Sequence, residues 1–224
     1  MDNPWLNISW EKPIADIDRK RIDERYGSID AFERSFENFG LKIQNALPEP
    51  YSGNKDSKVY CLNMNPGKWN DNFYNNESMI EMTLKNLKHE VDDCLWWKKV
   101  QDVDGNKHNG YKWTKKRIKG IEDILDGQRV PSVFFLEYFP YHSCKGFDFP
   151  HYLPSYDYND KLIMEAMEQD KWFVIMRNKR LWYNRIPKLE CYNRKLELVS
   201  PIGGWLSPRN FKQCGNEDFI KEIF

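Results

Sequence analysis

Lys58 to Trp69 reads Lys-Val-Tyr-Cys-Leu-Asn-Met-Asn-Pro-Gly-Lys-Trp and runs from an apolar segment directly into a tight turn. The β-branched and apolar start predicts a buried strand. That strand must end at Asn65, because Pro66 lacks a backbone donor and Gly67 permits a left-handed turn. In open α/β sheets, ligands bind beyond the carboxyl ends of the strands. Asn65 is therefore predicted at the mouth of a pocket, with an ordinary Asn-Pro-Gly turn as the alternative.

Length and charge define what kind of protein this is. The chain has 224 residues, with 34 basic and 34 acidic side chains and no net formal charge. This length provides one sizeable core and predicts a single domain over residues 1–224, in which residues 1–50 form an N-terminal arm and helices that pack on it. The charge balance gives no sign of a nucleic-acid partner, although a local basic face is compatible with it.

The cysteines and the apolar runs bear on cofactors and compartment. The five cysteines lie far apart without a Cys-x-x-Cys pair, so no metal or redox cofactor is expected. Buried free thiols in a reducing compartment are the simplest interpretation. No secretion signal is recognisable, and no apolar run approaches the ~20 residues of a membrane span. We expect a cytoplasmic protein without a membrane partner, and the sequence indicates no protein partner.

Apolar periodicity predicts alternating helices and strands. The predicted helices are 14–26, 29–43, 78–91, 114–125, 162–167 and 216–224. The predicted strands are 58–64, 132–139, 171–176 and 196–199. Ser28 is placed to cap the second helix, and Ser78 with Glu81 forms a capping box for the third. This order predicts a three-layer α/β fold, in which helices flank a central four-stranded, mostly parallel sheet and three polar loops meet at one edge.

Those three loops together resemble the uracil-DNA glycosylase superfamily, in particular its single-strand-selective monofunctional branch. Leu-Asn-Met-Asn-Pro-Gly at 62–67 is similar to that branch's Gly-Met-Asn-Pro-Gly motif. Ser-Pro-Arg-Asn at 207–210 is similar to the tail of its His-Pro-Ser-Pro-Arg-Asn motif, and Glu-Tyr-Phe-Pro-Tyr at 137–141 stands where the branch has Asn-His-Cys-Pro-Leu. The resemblance covers roughly residues 58–215 and implies the superfamily's fold and its hydrolysis of N-glycosidic bonds in DNA.

The departures from the family motifs fall on residues that would carry chemistry. The base-reading Asn of the family falls on Glu137 and its catalytic His on Trp205, whereas Asn65 is retained. The resemblance implies that Asn65 holds the water that attacks the sugar. Trp205 is expected to stack on a base or to wedge into the DNA helix. His142 is a candidate for the lost donor, with a surface or loop-bracing histidine as the alternative.

Glu137 would change the base that such a pocket accepts. An ionised carboxylate only accepts hydrogen bonds, so it would repel O4 of uracil and accept from an exocyclic amine. A carboxyl group that is protonated by burial also donates. The hypothesis is a pocket that no longer prefers uracil and takes an amino-bearing or modified base. The alternative is a structural carboxylate paired with a basic neighbour, since a lone buried carboxylate is costly.

Other candidate residues follow from the same loops. Phe73 and Tyr74 stand where the family has a base-stacking aromatic residue, with core packing as the alternative. Four basic residues at strand ends are candidates for phosphate contacts, with solvated surface side chains as the alternative. They are Arg177, Lys179, Arg180 and Arg209. A basic run predicted to cover a solvated helix face, with a phosphate contact as the alternative, consists of Lys115, Lys116, Arg117 and Lys119. The predicted substrate-binding set is Met64, Pro66, Gly67, Phe73, Tyr74, Glu137, Trp205, Ser207 and Arg209.

Taken together, the sequence predicts a DNA glycosylase-like protein that hydrolyses the N-glycosidic bond of a modified or non-uracil base, with Asn65 and His142 as its catalytic residues. The expected partner is DNA, either as a single strand or as a base flipped out of the duplex. The alternative is a binding module for single-stranded DNA or a nucleobase that kept the fold and lost catalysis. A third possibility, an unrelated α/β hydrolase or nucleotide-binding protein, lacks the Gly-rich phosphate loop after the first strand.

Overall fold

Strands and helices alternate along the computed structural model, which describes residues 1–69, 76–92, 109–126, 131–146, 153–212 and 216–224. Within these residues the chain forms five strands and eight α-helices. The strands are β1 (Tyr51–Ser52), β2 (Val59–Leu62), β3 (Val133–Leu136), β4 (Trp172–Ile175) and β5 (Lys195–Glu197). The helices are α1 (Asp16–Tyr26), α2 (Ile29–Ser35), α3 (Glu77–Leu87), α4 (Asn109–Ile124), α5 (Tyr156–Glu168), α6 (Lys179–Arg185), α7 (Lys188–Cys191) and α8 (Glu217–Ile223).

The strands form one mixed sheet in the order β1-β3-β2-β4-β5. β2 to β5 are parallel to their neighbours, whereas β1 pairs antiparallel with β3, with Tyr51 opposite Leu136. The α/β class is therefore confirmed, and the prediction of four strands is wrong by one. β1 has only two residues, too few to produce an alternating pattern in the sequence. The four parallel strands present their carboxyl ends at the same edge.

Each face of the sheet carries its own hydrophobic core, because successive strand residues point to opposite sides. In β2, Tyr60 and Leu62 join one core while Val59 and Cys61 join the other. Residues of α1, α2 and α5 pack into the first core, and residues of α4 and α8 into the second. Trp5, only 1% exposed, also lies in the first core. The N-terminal segment is thus part of the packing around the sheet.

Several helices differ from the predicted ones in extent or capping. The helix expected over 29–43 ends at Ser35, and Gly40 then turns the chain with a φ of 62°. Ile43 is nevertheless buried, and its amide donates to Oε1 of Glu33 at 2.7 Å. The apolar spacing therefore reflected a helix followed by a folded loop. Ser28 caps α2 as predicted, through a 3.1 Å bond from the amide of Ala31.

Two further expectations are corrected. α3 begins at Glu77, and Asn76 caps it through a 3.0 Å bond from the amide of Ser78, so the predicted capping box is wrong. Of the three cysteines that the structure describes, Cys61 is buried but Cys144 and Cys191 are exposed, so burial is confirmed for one thiol only. No helix among the described residues has the length and apolar character needed to cross a membrane.

Candidate functional site

A cavity of about 390 Å³ opens where the residues after β2 and β3 face each other. Asn65 and Glu137 both line it, together with Arg177 from the end of β4 and Trp113 from α4. Met64, Pro66 and Gly67 also line the cavity. Such a volume lies in the range of small-ligand pockets, ~300–1,000 Å³. The predicted crevice beyond the strand ends is thus present.

Asn65 is held in one orientation by the loop that follows β3. Gly67 turns the chain with a φ of 86°, as the Asn-Pro-Gly sequence predicts. The amide Nδ2 of Asn65 donates to the carbonyl oxygen of Ser143 at 2.7 Å and lies 3.0 Å from its Oγ. This anchoring leaves Oδ1 as an acceptor. The loop approaches closely, since a Cβ on Gly146 would lie 3.0 Å from that oxygen.

Glu137 is a partly buried carboxyl in the wall of the cavity. Its Oε1 accepts a 3.3 Å hydrogen bond from Nδ2 of Asn63, and its buried Oε2 has no hydrogen-bond partner among the described residues. Burial raises the pKa of Glu137 to about 8, and the nearby Glu49 carboxylate adds to the rise, whereas Asn63 and Arg177 oppose it. At neutral pH the group is therefore mostly protonated and offers a donor as well as an acceptor.

The alternative role for Glu137, a carboxylate paired with a basic neighbour, does not match its surroundings. Within the described part of the chain no lysine or arginine forms an ion pair with it. Arg177 influences Glu137 electrostatically from a greater distance. An unsatisfied carboxyl oxygen in a cavity wall is a position where a ligand can supply the missing hydrogen bond.

His142 is buried, lines the cavity and braces the turn after β2. Its Nδ1 lies 3.1 Å from the carbonyl oxygen of Gly67, so Nδ1–H donates to that oxygen. Its Nε2 lies 3.8 Å from Oε1 of Glu49, and its ring packs edge-on against Trp69 with centroids 4.9 Å apart. The bracing role is therefore visible in the geometry. A catalytic role for His142 stays a prediction.

The loop after β5 does not bring its predicted residues to the cavity. Trp205 is 50% exposed and absent from the cavity wall, with Nζ of Lys116 5.8 Å from its ring centroid. Ser207 packs beside Gly120 of α4, and Arg209 is exposed. The physical reason is local packing: the Trp205 ring lies against Gly203, where a Cβ would be 3.4 Å from its Cδ2. The loop does reach Arg177, which donates to the carbonyl oxygen of Ile202 at 3.3 Å.

Some cavity residues were not anticipated, and some anticipated residues cannot be placed. Asn63 stands two positions before Asn65, and the period of two in an extended chain was a usable signal for its side chain. Glu49 comes from the N-terminal segment, and no local pattern connects it to the site. Phe73 and Tyr74 lie outside the described residues.

Comparisons of the chain with protein-family models, with curated proteins and with solved structures found no match. Among the described residues, no three His, Cys, Asp or Glu side chains are grouped as they would be to hold a metal ion. A functional interpretation therefore depends on the geometry of the cavity itself.

Proposed function

We propose that the cavity binds a nucleobase and that the protein hydrolyses the N-glycosidic bond of an amino-bearing or modified base in DNA. The observation that carries this proposal is the placement of Asn65 and Glu137 in the wall of one cavity. The two side chains differ in function, because one is an anchored amide with a remaining acceptor and the other is a carboxyl with a raised pKa. Hydrolysis of a glycosidic bond needs one group to hold water and another to stabilise the departing base.

Asn65 is suited to holding the water. With Nδ2 bound to Ser143, its Oδ1 accepts a hydrogen bond from a water and aims the water's lone pair at C1′ of the sugar. The water oxygen then bonds to C1′, the bond between C1′ and the base breaks, and its electron pair leaves with the base. An amide orients water but is a poor base, so the proton that the water loses passes to solvent.

Glu137 is suited to the departing base. A neutral carboxyl donates a hydrogen bond or a proton to a ring nitrogen or carbonyl oxygen at the edge of the base, onto which the departing electron pair is delocalised, and this donor stands in for the one that the family histidine would provide. In such sites the loss of one donor typically costs about 100- to 1,000-fold in rate. Because Oε1 accepts from Asn63, the proton belongs on Oε2, the oxygen without a protein partner.

The ionisation of Glu137 also sets the choice of base. A neutral carboxyl matches both an amino-bearing edge and a uracil edge, because it donates and accepts. Its ionised form only accepts, which favours the exocyclic amine of cytosine or adenine over O4 of uracil. Discrimination against uracil is therefore expected to sharpen as the pH rises through about 8.

The test is abasic-site formation on single-stranded oligonucleotides that each carry one cytosine, uracil, adenine or modified base. The wild-type protein is expected to release an amino-bearing or modified base, and Asn65→Ala is expected to lower the rate at least ~100-fold. Asn54→Ala, which removes an amide in a loop outside the cavity wall, is the matched control and should keep the wild-type rate. Uracil as the best substrate, or an unchanged rate in Asn65→Ala, would contradict the proposal.

A second candidate function is a module that binds a base or single-stranded DNA without cleaving it. The observation that favours it is the position of Trp205, which stands in the family's catalytic place yet lies half exposed and outside the cavity wall. Saturable oligonucleotide binding that depends on Glu137, with no abasic product from any base in the panel, would establish the binding module over the enzyme.

A further inference from the structure

Arg117 departs from the solvated helix face that the basic run on α4 predicts. It is only 9% exposed, although the residues on either side of it in the run lie nearer to solvent. Lys115 pairs with Glu122, and Nζ of Lys119 lies 3.6 Å from Oδ2 of Asp123. The prediction of a solvated face is thus wrong for Arg117, whose side chain is buried.

The guanidinium of Arg117 is fixed by packing rather than by an acid. Its Cζ lies 5.0 Å from the ring centroid of Trp113, a residue of the cavity wall. Gly204 closes over it, since a Cβ there would lie 3.1 Å from Nε of Arg117. The amide of Leu206 also donates to the carbonyl oxygen of Arg117 at 2.8 Å. Nε is buried and has no hydrogen-bond partner in the described chain.

Arg177 brings a second guanidinium to the same place. It follows β4, is exposed, lines the cavity and donates to the carbonyl oxygen of Ile202. Gly204, which packs against Arg117, stands two residues after Ile202, whose carbonyl Arg177 contacts, so the same loop contacts both guanidinium groups. Burial lowers the pKa of Arg117, and the like charge of Arg177 lowers it further. Among the described residues no acidic side chain forms an ion pair with either one. Two neighbouring cations, one of them buried, are costly without an anion.

We propose that Arg117 and Arg177 form a phosphate-binding site at the rim of the cavity. Each guanidinium presents a planar fork of donors that fits two phosphate oxygens, and a phosphate has enough oxygens to serve both forks. Packing against Trp113 and Gly204 holds one fork in place before the ligand arrives, which reduces the entropy lost on binding. Because Arg177 is exposed and lines the cavity, a phosphate can reach this site from solvent.

This site is independent of the proposed glycosidic chemistry, because phosphate binding is measured without base release. The phosphate has two possible sources, a free mononucleotide or the backbone of a DNA strand whose base enters the cavity. Binding to the backbone would also weaken as salt rises, since each neutralised phosphate releases counterions.

The experiment is calorimetric titration of the full chain with a deoxynucleoside 5′-monophosphate, with the same nucleoside lacking phosphate, and with a short single-stranded oligonucleotide lacking terminal phosphate. Arg177→Gln is expected to weaken binding of a phosphate-bearing probe by at least ~10-fold, because it removes charge-assisted hydrogen bonds. Arg117→Lys keeps the charge but loses the fork, so it is expected to weaken binding as well. Lys119→Gln removes one charge from the outer face of α4 and is expected to leave binding unchanged.

The titrations distinguish the two sources of phosphate. Tight binding of the mononucleotide alone assigns the site to a free phosphate, and tight binding of the oligonucleotide assigns it to the backbone, provided that Arg177→Gln weakens that binding by the expected ~10-fold or more. Arg177 is exposed, so its variant is expected to fold, which a thermal melt checks. The proposal is overturned if no phosphate probe binds saturably, if the bare nucleoside binds as tightly as its phosphate, or if Lys119→Gln weakens binding as much as Arg177→Gln.

Discussion

Glu137 is the residue on which the account of recognition depends. Its environment combines burial, the negative charge of Glu49 and a single amide donor from Asn63. Burial contributes most to the raised pKa of Glu137. A bound base would change the surroundings of the carboxyl, because it would replace water in the cavity with polar atoms of its own. Burying a carboxyl without a full set of hydrogen-bond partners costs free energy in the empty protein. A ligand that supplies the missing hydrogen bond would recover part of that cost.

At the residue scale we predict that Glu137→Gln stabilises the empty protein in a pH-dependent way. The folded pKa of about 8 lies above the ordinary value of 4.5, so the wild-type free energy of unfolding falls as the pH rises from about 4.5 to about 8. Glutamine keeps the acceptor for Asn63 but does not ionise. Urea unfolding should therefore show a variant more stable than wild type by about 2 to 4 kcal/mol above pH 8, and a difference that shrinks toward pH 4.5.

Glu168→Gln, on the exposed end of α5, is the control for this substitution. Its effect on the free energy of unfolding should stay within about 0.5 kcal/mol at every pH. A Glu137→Gln protein whose stability ran parallel to that of the wild type across the whole range would show that burial does not perturb this carboxyl.

At the element scale, the turn between β2 and the cavity depends on a backbone conformation. Gly67 and Gly27 have φ values of 86° and 79°, and neither has an atom within 4 Å of where a Cβ would stand. Alanine at either position should therefore cost a similar ~1 kcal/mol of stability from backbone strain alone. Only Gly67→Ala should also weaken oligonucleotide binding, because the Gly67 carbonyl accepts from His142 and from the amide of Ser143.

The two glycine variants are compared by thermal unfolding and by the same binding titration. Gly27 ends α1, away from the cavity, so it controls for the strain without touching the site. Equal losses of binding in both variants would show that general destabilisation, and not the shape of the turn, explains the effect.

The strands that were predicted correctly are those whose apolar pattern has a single structural cause. β2, β3 and β4 are buried on both faces, so their continuous apolar runs were recognisable. The pattern from Ile29 to Ile43 failed because helical and loop residues pack into the same core, and apolar spacing records burial without recording the backbone. α6 and α7 went unpredicted, because α6 begins with Lys179 and Arg180, which were interpreted as a basic strand end, and the four residues of α7 are too few for a clear period.

At the scale of the whole molecule, a buried polar group ties the N-terminal helix to the loops around the site. Asp18 of α1 accepts from the hydroxyl of Tyr141 at 2.8 Å and from the amide of Ser155 at 2.9 Å. Burial raises the pKa of Asp18 to about 6, and these two bonds oppose the rise. Near neutral pH the fold therefore holds an ionised carboxylate that relies on both donors.

We predict that Tyr141→Phe destabilises the protein by about 1 to 3 kcal/mol at pH 7, the usual loss for a hydrogen bond to a charged group. The loss should be smaller near pH 4, where Asp18 is protonated in the folded state. Tyr192→Phe removes a hydroxyl whose partners, in the part of the chain that the structure describes, are main-chain carbonyl oxygens, so its smaller effect should not vary over this range. Equal and pH-independent losses in the two variants would contradict the role given to Asp18.

The site was predictable from sequence only as far as strand ends determine it. Asn65 and Glu137 follow adjacent parallel strands, so their meeting in one cavity follows from topology. Trp205 was expected there too, but its ring lies beside Lys116 of α4, a tertiary contact that no local pattern contains. Glu49 and Arg117 reach the site region through tertiary packing, and their sequence context looks like ordinary surface.

The most direct measurement is the equilibrium affinity for two single-stranded oligonucleotides that differ only in a central cytosine or uracil, compared at about pH 6 and about pH 8.5 for wild type and Glu137→Gln. If Glu137 reads the base, the wild-type preference for cytosine grows at the higher pH, and Glu137→Gln shows the same preference at both. A wild-type preference that does not change with pH, or tighter binding of uracil at the higher pH, would contradict the assignment of this cavity to an amino-bearing nucleobase.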